Sequence, residues 1–506
     1  MKDRSLYTII YRVCAVALSV FLLVIMVNNI LFSWVNYVAK KQFAVPVVVL
    51  VFIAGVVICI LWRQKKNVGW MEQNFRILPA VFLLFFYQVF VGYEILFMTN
   101  TWDVSTVMRN VYDAVTGNYI QENMIYFSQF PNNQGIFLLE YIAFKILNLF
   151  GFLTLKKGLF LFVVIQCFLS AATSYFLYDV VERHSSKKPA CFAWALYGIT
   201  IGLSGWQIVV YTDMLAIVFP MLTFWIYDKM DDWKYPVIAW CAMAFFSYGG
   251  FLIKPTAFIM FLAICITEVL RFLSNKDFEK ETLFKTGKIL FCMIVVVLVL
   301  HVAFRFLVNA TSLIIDETKS TGVLHMLMMG TNNENDGAIS LSDVAFSMGF
   351  DSTEERSAAQ LARIKERVSA YSATDVAKLL IKKALVVFND GSYAWGQEAD
   401  FFGTSYSNGI LKGFYQALYY EDGSFYFIKK YVFQILWYMM LILCGISGFL
   451  KEKKNRLPLF LALIGIIIFD MLFEARARYL LVYAPIFITV ATLNFFDFKE
   501  QKYEKK

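Results

Sequence analysis

The chain has 506 residues, of which 59% are hydrophobic and only 17% are charged. Soluble domains are about 45–50% apolar by a similar count, so this composition excludes an ordinary soluble protein. The formal net charge of +8 does not indicate nucleic-acid binding, because the basic residues concentrate in short loops between apolar segments. We therefore expect an all-α polytopic integral membrane protein, since a helix satisfies its backbone hydrogen bonds within its own segment.

Apolar segments recur along most of the chain, and many have the length of a membrane-spanning helix. The candidate spans are 8–32, 43–62, 76–98, 132–149, 158–181, 190–208, 214–230, 236–248, 255–270, 288–308, 426–449, 457–473 and 478–496. The sequence therefore predicts about thirteen transmembrane helices.

The orientation of these spans follows from Lys and Arg in the short loops, which favour the cytoplasmic side. Basic loops at 63–66, 271–288 and 451–456, and the basic tail at 499–506, are accordingly expected inside. The segment 309–425 contains 15 Asp and Glu against 9 Lys and Arg, and we expect it outside.

Three regions follow from this map. A membrane domain, 1–308, is followed by the small extracytoplasmic insertion 309–425. The C-terminal membrane helices and the cytoplasmic tail occupy 426–506.

One region conflicts with this map. Residues 99–131 should lie outside and the basic loop 182–188 inside, but two apolar segments, 132–149 and 158–181, separate them. An odd number of crossings is required. We favour a re-entrant or interfacial course for one of the two segments; the alternative is that the 182–188 loop breaks the charge rule.

The stretch "NTWDVSTVMRNVYDAV", residues 100–115, interrupts the apolar sequence. At helical spacing its apolar side chains form one stripe, and Asp103, Thr106, Asn110 and Asp113 lie on the other side. The pattern predicts an amphipathic interfacial helix near 101–117 in the first large outer loop. Taken alone, a surface helix with solvated carboxylates is the simpler interpretation.

Ionisable residues recur at or near the predicted outer ends of spans. They are Asp103, Asp213, Lys254, Arg476 and Arg478. Charges at such a depth are costly and usually functional. Two acids and three bases at one membrane face predict a site that binds an anion and activates a hydroxyl group.

Four further residues are candidates with competing interpretations. Asn132 and Asn133 either cap the next helix or belong to the site. Arg305 either reaches the bound anion or extends toward the membrane surface as long basic side chains do. His325 either lines the site or is an ordinary loop histidine. With three histidines and no paired spacing, a zinc site has weak support.

The order of these motifs resembles the GT-C superfamily of membrane glycosyltransferases. The chain is most similar to the clan of protein O-mannosyltransferases and lipid A aminoarabinose transferases, as a bacterial member. Asp103 matches the acid of the first outer loop and Asp213 the later "TD" motif. The segment 250–255, which contains Lys254, and the segment 478–485, which begins with Arg478, match the two remaining motifs. Two extra N-terminal spans and an insertion unlike MIR-type domains depart from the pattern.

The resemblance implies an inverting transferase that uses a polyprenyl-phosphate sugar as donor. Asp103 would be the catalytic base. Asp213 would orient hydroxyl groups, or ligate a divalent metal together with Asp103. Lys254 and Arg478, helped by Arg476, would hold the donor phosphate. The acceptor would be a cell-wall polymer, a teichoic acid, a glycolipid or a protein at the extracytoplasmic face of the cell membrane.

Two other functions remain open. A polysaccharide polymerase of the O-antigen type also has many spans and a large outer loop, but it needs no early carboxylate. A lipid or sugar transporter would carry out no chemistry. Transporters often contain internal repeats and broken helices at the membrane midplane, and the sequence contains no visible repeat.

Overall fold

The fold is that of a helical bundle, known from a computed structural model. The structure describes residues 5–32, 55, 74–99, 103–275, 279–311, 313–395, 403–453 and 455–504. The predicted span 43–62 and the start of the "NTWD" motif at 100–102 lie outside these ranges. Within them, the β-structure consists of Phe97–Met98 (β1) paired antiparallel with Thr404–Ser405 (β2). The predicted all-α class is thus confirmed.

The helices are numbered here in chain order over the described residues. The first half contains α1 (Leu6–Phe32), α2 (Ile77–Glu94), α3 (Asp103–Thr116), α4 (Gln121–Gln129), α5 (Gln134–Leu149), α6 (Leu155–His184), α7 (Lys187–Tyr197), α8 (Thr212–Ala216), α9 (Val218–Asp228) and α10 (Pro236–Ile253). The second half contains α11 (Ile259–Asn275), α12 (Lys280–Asn309), α13 (Gly322–Gly330), α14 (Leu341–Met348), α15 (Thr353–Ala370), α16 (Ala373–Phe388), α17 (Lys412–Tyr419), α18 (Tyr426–Gly445), α19 (Leu457–Leu472) and α20 (Ala484–Glu504).

Within the described ranges, eight helical segments are long and apolar enough to cross a membrane. They are Leu6–Phe32, Ile77–Glu94, Leu155–His184, Pro236–Ile253, Pro255–Asn275, Lys280–Asn309, Tyr426–Phe449 and Ala477–Phe498. The shorter apolar helix α19 accompanies them. The predicted spans 190–208 and 214–230 are broken helices, because α7 continues as a π-helix and α8 precedes α9. The total of about thirteen stays a prediction.

Three loops that were predicted to lie on one side meet at one end of the bundle. The guanidinium of Arg183 lies 3.2 Å from a carboxylate oxygen of Asp228. Asn455 donates a hydrogen bond to Asp228 and accepts one from Arg271 at 2.7 Å. We call this the basic end. The opposite end, where Asp103 and Lys254 lie, is the site end.

The course of helix α5 bears on the conflict in the number of crossings. Helix α6 ends at the basic end, so its 30 residues place its start at the site end. Helix α5 has only 16 residues, and its Gly135 packs directly on the Leu252 carbonyl near the site end of α10. Near its other end, the Phe144 ring covers Gly158 at the start of α6. Helix α5 therefore begins and ends toward the site end, and the re-entrant or interfacial course stays a prediction.

Residues 313–395, which lie within the predicted insertion 309–425, form a helical unit at the site end. From here on, "the insertion" means residues 313–395. It contains helices α15 and α16, and Ser372 caps α16 in a reciprocal capping box. A buried arginine, Arg356, holds the unit together by donating to several backbone carbonyls. These belong to Thr318, Ser320, Ser347 and Phe350.

Candidate functional site

The carboxylate of Asp103 accepts hydrogen bonds from two tyrosines. Tyr126 donates to one oxygen at 2.6 Å, and Tyr211 donates to the other at 2.8 Å. Asp103 is the first residue of α3, where a carboxylate also interacts favourably with the helix dipole. The apolar stripe predicted for this helix is buried, as Val104, Val107, Met108, Val111 and Val115, and it fixes the orientation of Asp103.

Asn133 connects the two tyrosines to each other. Its side-chain nitrogen donates to the Tyr126 hydroxyl at 2.5 Å, and its oxygen accepts from Tyr211 at 3.0 Å. Asn133 ends the 3₁₀ turn Pro131–Asn133 between α4 and α5, which places it beside both rings. We call these four residues, Asp103, Tyr126, Asn133 and Tyr211, the Asp103 network.

A second group of buried charges lies next to this network. Lys254 forms a salt bridge with one oxygen of Asp213, and Arg478 lies 3.4 Å from the other oxygen. The exposed fractions are 2% for Asp213, 8% for Lys254 and 5% for Arg478. We call these three residues the cation cluster. Its two cations and single carboxylate have a formal charge of +1 in a desolvated environment. A buried charge is costly unless it is compensated, so the cluster suits a bound anion.

The local sequence places Lys254 in this cluster. Helix α10 ends at Ile253, and Pro255 starts a 3₁₀ turn. A residue that precedes proline is restricted to extended backbone, and Lys254 has φ −147° and ψ 112°. The helix therefore breaks at Lys254.

The network and the cluster share aromatic contacts. The guanidinium of Arg478 lies 5.2 Å from the centre of the Tyr211 ring. The ammonium of Lys254 lies 4.6 Å from the centre of the Tyr479 ring. Such cation–π contacts strengthen when they are desolvated. Because Arg478 belongs to the cation cluster and Tyr211 to the Asp103 network, their contact joins the two groups into one continuous site.

A third carboxylate supports this site from the turn before α20. Glu474 accepts from Arg476 at 2.8 Å and from the Tyr479 hydroxyl at 2.9 Å. Burial opposes ionisation of Glu474, but the charge and hydrogen bond of Arg476 outweigh it and lower the pKa of this carboxyl below its ordinary value. Glu474 is therefore ionised at neutral pH and fixes both Arg476 and the ring beside Lys254.

The two tyrosines of the Asp103 network remain protonated over the physiological range. Burial, followed by the negative charge of Asp103, raises the pKa of both Tyr126 and Tyr211 above the ordinary value. A protonated phenol is a hydrogen-bond donor. Each tyrosine therefore presents a hydrogen-bond donor to Asp103.

The structure thus brings together six of the nine predicted site residues. They are Asp103, Asn133, Asp213, Lys254, Arg476 and Arg478. Asn132 is exposed at the edge of the site and donates to Asn133 at 3.4 Å.

The other two predicted residues, Arg305 and His325, form contacts elsewhere. Arg305 pairs with Glu317 on the exposed side of α12. His325 is buried inside the insertion, where its Nδ1 lies 2.9 Å from the Ser347 hydroxyl. Burial lowers the pKa of His325 despite the carboxylates of Glu474 and Asp343, so this histidine is neutral at pH 7.

A divalent metal held by Asp103 and Asp213 does not fit this arrangement. The two oxygens of Asp213 are bound by Lys254 and Arg478, and those of Asp103 by Tyr126 and Tyr211. Among the described residues, no group of three His, Cys, Asp or Glu side chains has the spacing of a metal site. The positive charges beside Asp213 favour an anion there instead.

The sequence alone did not single out Tyr126, Tyr211, Glu474 or Tyr479. Three of the four lie within five residues of a predicted site residue, and Tyr126 lies in the same loop as Asn133. With 28 tyrosines in the chain, and with membrane proteins enriched in this residue at the interface, proximity carried no discriminating signal. Only the fold shows which hydroxyls reach a carboxylate.

Comparison with known proteins supports the membrane assignment. No curated protein and no solved structure matches the chain. One family model, described as conserved hypothetical integral membrane protein, matches residues 2–498. Since the match covers nearly the whole sequence, the chain belongs to this family of integral membrane proteins.

Proposed function

We propose that the protein is an inverting glycosyltransferase of the GT-C type. It would transfer a sugar from a polyprenyl-phosphate donor to a hydroxyl-bearing acceptor of the cell envelope. The observation that carries this proposal is the contiguity of the Asp103 network and the cation cluster. A half-buried carboxylate and a pair of buried cations meet at one end of an apolar helical bundle.

The reaction needs both halves of such a site. The acceptor oxygen attacks the anomeric carbon and forms the new glycosidic bond. The bond between that carbon and the phosphate oxygen breaks, and its electron pair leaves with the polyprenyl phosphate. Asp103 takes the hydroxyl proton as general base. Lys254 and Arg478 stabilise the charge that grows on the leaving phosphate.

The location at the end of the spans suits a lipid-linked donor. Its polyprenyl tail would remain in the bilayer while the phosphate sugar reaches the cation cluster. Asp213 would then serve as the resident counter-ion of Lys254 and Arg478. We assign the site end to the extracytoplasmic face, because the basic loops of the opposite end are typical of cytoplasmic loops.

A polymerase or a transporter is favoured less by this arrangement. A polymerase that relies on loop arginines gives no reason for the two tyrosines that hold Asp103. A transporter commonly binds its cargo near the midplane of the membrane, whereas these charges lie where helices end. Both alternatives remain outcomes of the experiment.

The experiment uses the full-length protein purified into lipid nanodiscs. It is given a panel of radiolabelled polyprenyl-phosphate sugars together with membrane extract, and the products are separated from free donor. We expect label to move from one donor to an acceptor, with inverted configuration at the anomeric carbon. Elongation of a lipid-linked oligosaccharide would instead identify a polymerase. Movement of unaltered lipid between leaflets, without transfer, would identify a transporter and overturn the proposal.

A further inference from the structure

A buried amine of the insertion contacts the segment that leads into the site. The ammonium of Lys383 on α16 donates to the Phe473 carbonyl at 2.7 Å and to the Gly330 carbonyl at 2.9 Å. Lys383 is 0% exposed. A buried ammonium ion is costly unless it is bonded and compensated, so this lysine needs an explanation beyond filling space.

The contact falls on the segment that carries the arginines of the site. Residues 473–478, which we call the arginine segment, link α19 to the 3₁₀ turn before α20. Phe473 begins this segment, Arg476 pairs with Glu474 within it, and Arg478 ends it beside Asp213. A displacement of the Phe473 backbone would therefore move both arginines.

Two glycines of the insertion allow its backbone to approach the same segment. A Cβ at Gly330 would lie 2.2 Å from the Leu472 carbonyl oxygen and 2.6 Å from that of Phe473. Gly337 has φ +71°, and a Cβ there would meet the Lys383 side chain at 2.7 Å. The Gly337 carbonyl also accepts from the Ala475 N–H at 2.8 Å.

The charges around Lys383 connect it with the same site. Asp470 on α19 and Glu474 in the arginine segment both interact electrostatically with Lys383. Asp470 interacts in the same way with Lys254 of the cation cluster. Neither carboxyl oxygen of Asp470 has a hydrogen-bond partner among the described residues. Asp470 therefore lies within electrostatic range of both lysines.

We propose that Lys383 is a positioning residue, which fixes the arginine segment and so couples the insertion to the anion-binding half of the site. The insertion then helps to position the residues of the site and is not an independent domain. This inference rests on the proposed function only for the identity of the anion, because the coupling itself is a property of the fold.

Binding of a short prenyl phosphate tests the coupling directly. Wild type, Lys383→Met and Lys383→Arg are compared in nanodiscs for affinity toward farnesyl phosphate and for thermal midpoint. Lys382→Met is the matched control, because Lys382 lies next in the chain on the same helix, but its side chain is 38% exposed and pairs with Asp336. We expect Lys383→Met to weaken farnesyl phosphate binding about 10- to 100-fold, because a displacement of about an ångström in the arginine segment would misplace its arginines. Lys383→Arg should recover part of the loss, and Lys382→Met should bind as wild type does.

The outcomes separate positioning from general stability. A folded Lys383→Met protein with wild-type affinity overturns the proposal, even if its midpoint is lower. If Lys383→Met does not fold, Gly337→Ala provides the second variant, since the added Cβ presses on the Lys383 stem, and unchanged binding there would overturn the proposal equally. Failure of the wild type to bind any prenyl phosphate would contradict the proposed function. The coupling would then be judged from binding of inorganic phosphate to the same variants.

Discussion

Tyr211 donates a hydrogen bond to Asp103 at 2.8 Å across 108 positions of the chain. The same hydroxyl lies 3.0 Å from the Asn133 side chain, and its ring lies beside Arg478. One tyrosine therefore touches the proposed base, its neighbouring amide and one of the proposed phosphate ligands. This contact joins the two halves of the site.

Removing either phenol hydroxyl should loosen Asp103. We expect Tyr211→Phe and Tyr126→Phe each to lower kcat about 10- to 100-fold, because a misplaced base loses the geometry of proton transfer. KM for the donor should change little in Tyr126→Phe, since the Tyr126 hydroxyl forms hydrogen bonds with Asp103 and Asn133 rather than with Lys254 or Arg478. Steady-state kinetics of sugar transfer measure both parameters. Tyr119→Phe is the control, because Tyr119 is 42% exposed; equal losses in all three variants would refute the role of the Asp103 network.

Removing the counter-ion of the cation cluster should destabilise the fold. In Asp213→Asn, two buried cations lose their carboxylate, and breaking a buried ion pair in this way costs roughly 3–5 kcal/mol. Added phosphate should recover part of the stability in the variant and much less in the wild type, because the anion replaces the lost charge. Thermal unfolding with and without phosphate measures this difference.

The control for this prediction is Asp232→Asn at the basic end. Asp232 pairs with Arg183 at 2.8 Å, but its side chain is 57% exposed, and exposed ion pairs contribute about 0–1 kcal/mol. If phosphate stabilised Asp213→Asn no more than Asp232→Asn, the cation cluster would not be an anion site.

Arg356 should determine the folding of the insertion alone. Arg356→Met removes the donors of four backbone carbonyls, and each buried acceptor left unpaired costs about 1–3 kcal/mol. We expect limited proteolysis to cut within 313–395 while the membrane-spanning helices remain intact. Arg363→Met should stay resistant, because Arg363 is 35% exposed. Equal resistance of both variants would show that Arg356 is dispensable.

Lys383 should make stability depend on pH in a defined window. Burial lowers its pKa to about 8 from the ordinary value of 10.5, although Asp470 and Glu474 oppose this. Between these two values the unfolded chain binds the proton that the folded chain releases, so the free energy of unfolding rises with pH. The thermal midpoint of wild type relative to Lys383→Met should increase from pH 8 to pH 10. A constant or falling difference would contradict the assignment.

The sequence was informative about those site residues whose charge is energetically costly in apolar surroundings. Charged residues near span ends pointed to Asp213, Lys254 and Arg478, and the fold brings these three together from α8, the α10 break and the turn before α20. The amphipathic period of α3 likewise indicated which side of the helix is buried. Burial cost and helical periodicity are local properties, so one sequence suffices to detect them.

The partners of these residues were beyond local reasoning. In the sequence, Tyr126 and Tyr211 are indistinguishable from ordinary interfacial tyrosines. In the fold, α4 and the turn before α8 place them beside Asp103. Lys383 directly follows Lys382 in the "IKKALVVF" stretch, and Lys382 is half-buried and pairs with Asp336. The two lysines differ only in which one meets the Phe473 carbonyl, a contact between residues 90 positions apart.

The most direct test of the account compares Asp103→Asn with Asp113→Asn in the sugar-transfer reaction. Both substitutions remove one charge from helix α3, but only Asp103 accepts from Tyr126 and Tyr211. Loss of a general base should reduce the rate on the order of 10²–10⁴-fold, with donor binding retained and Asp113→Asn at the wild-type rate. Equal turnover by Asp103→Asn and wild type would contradict the account.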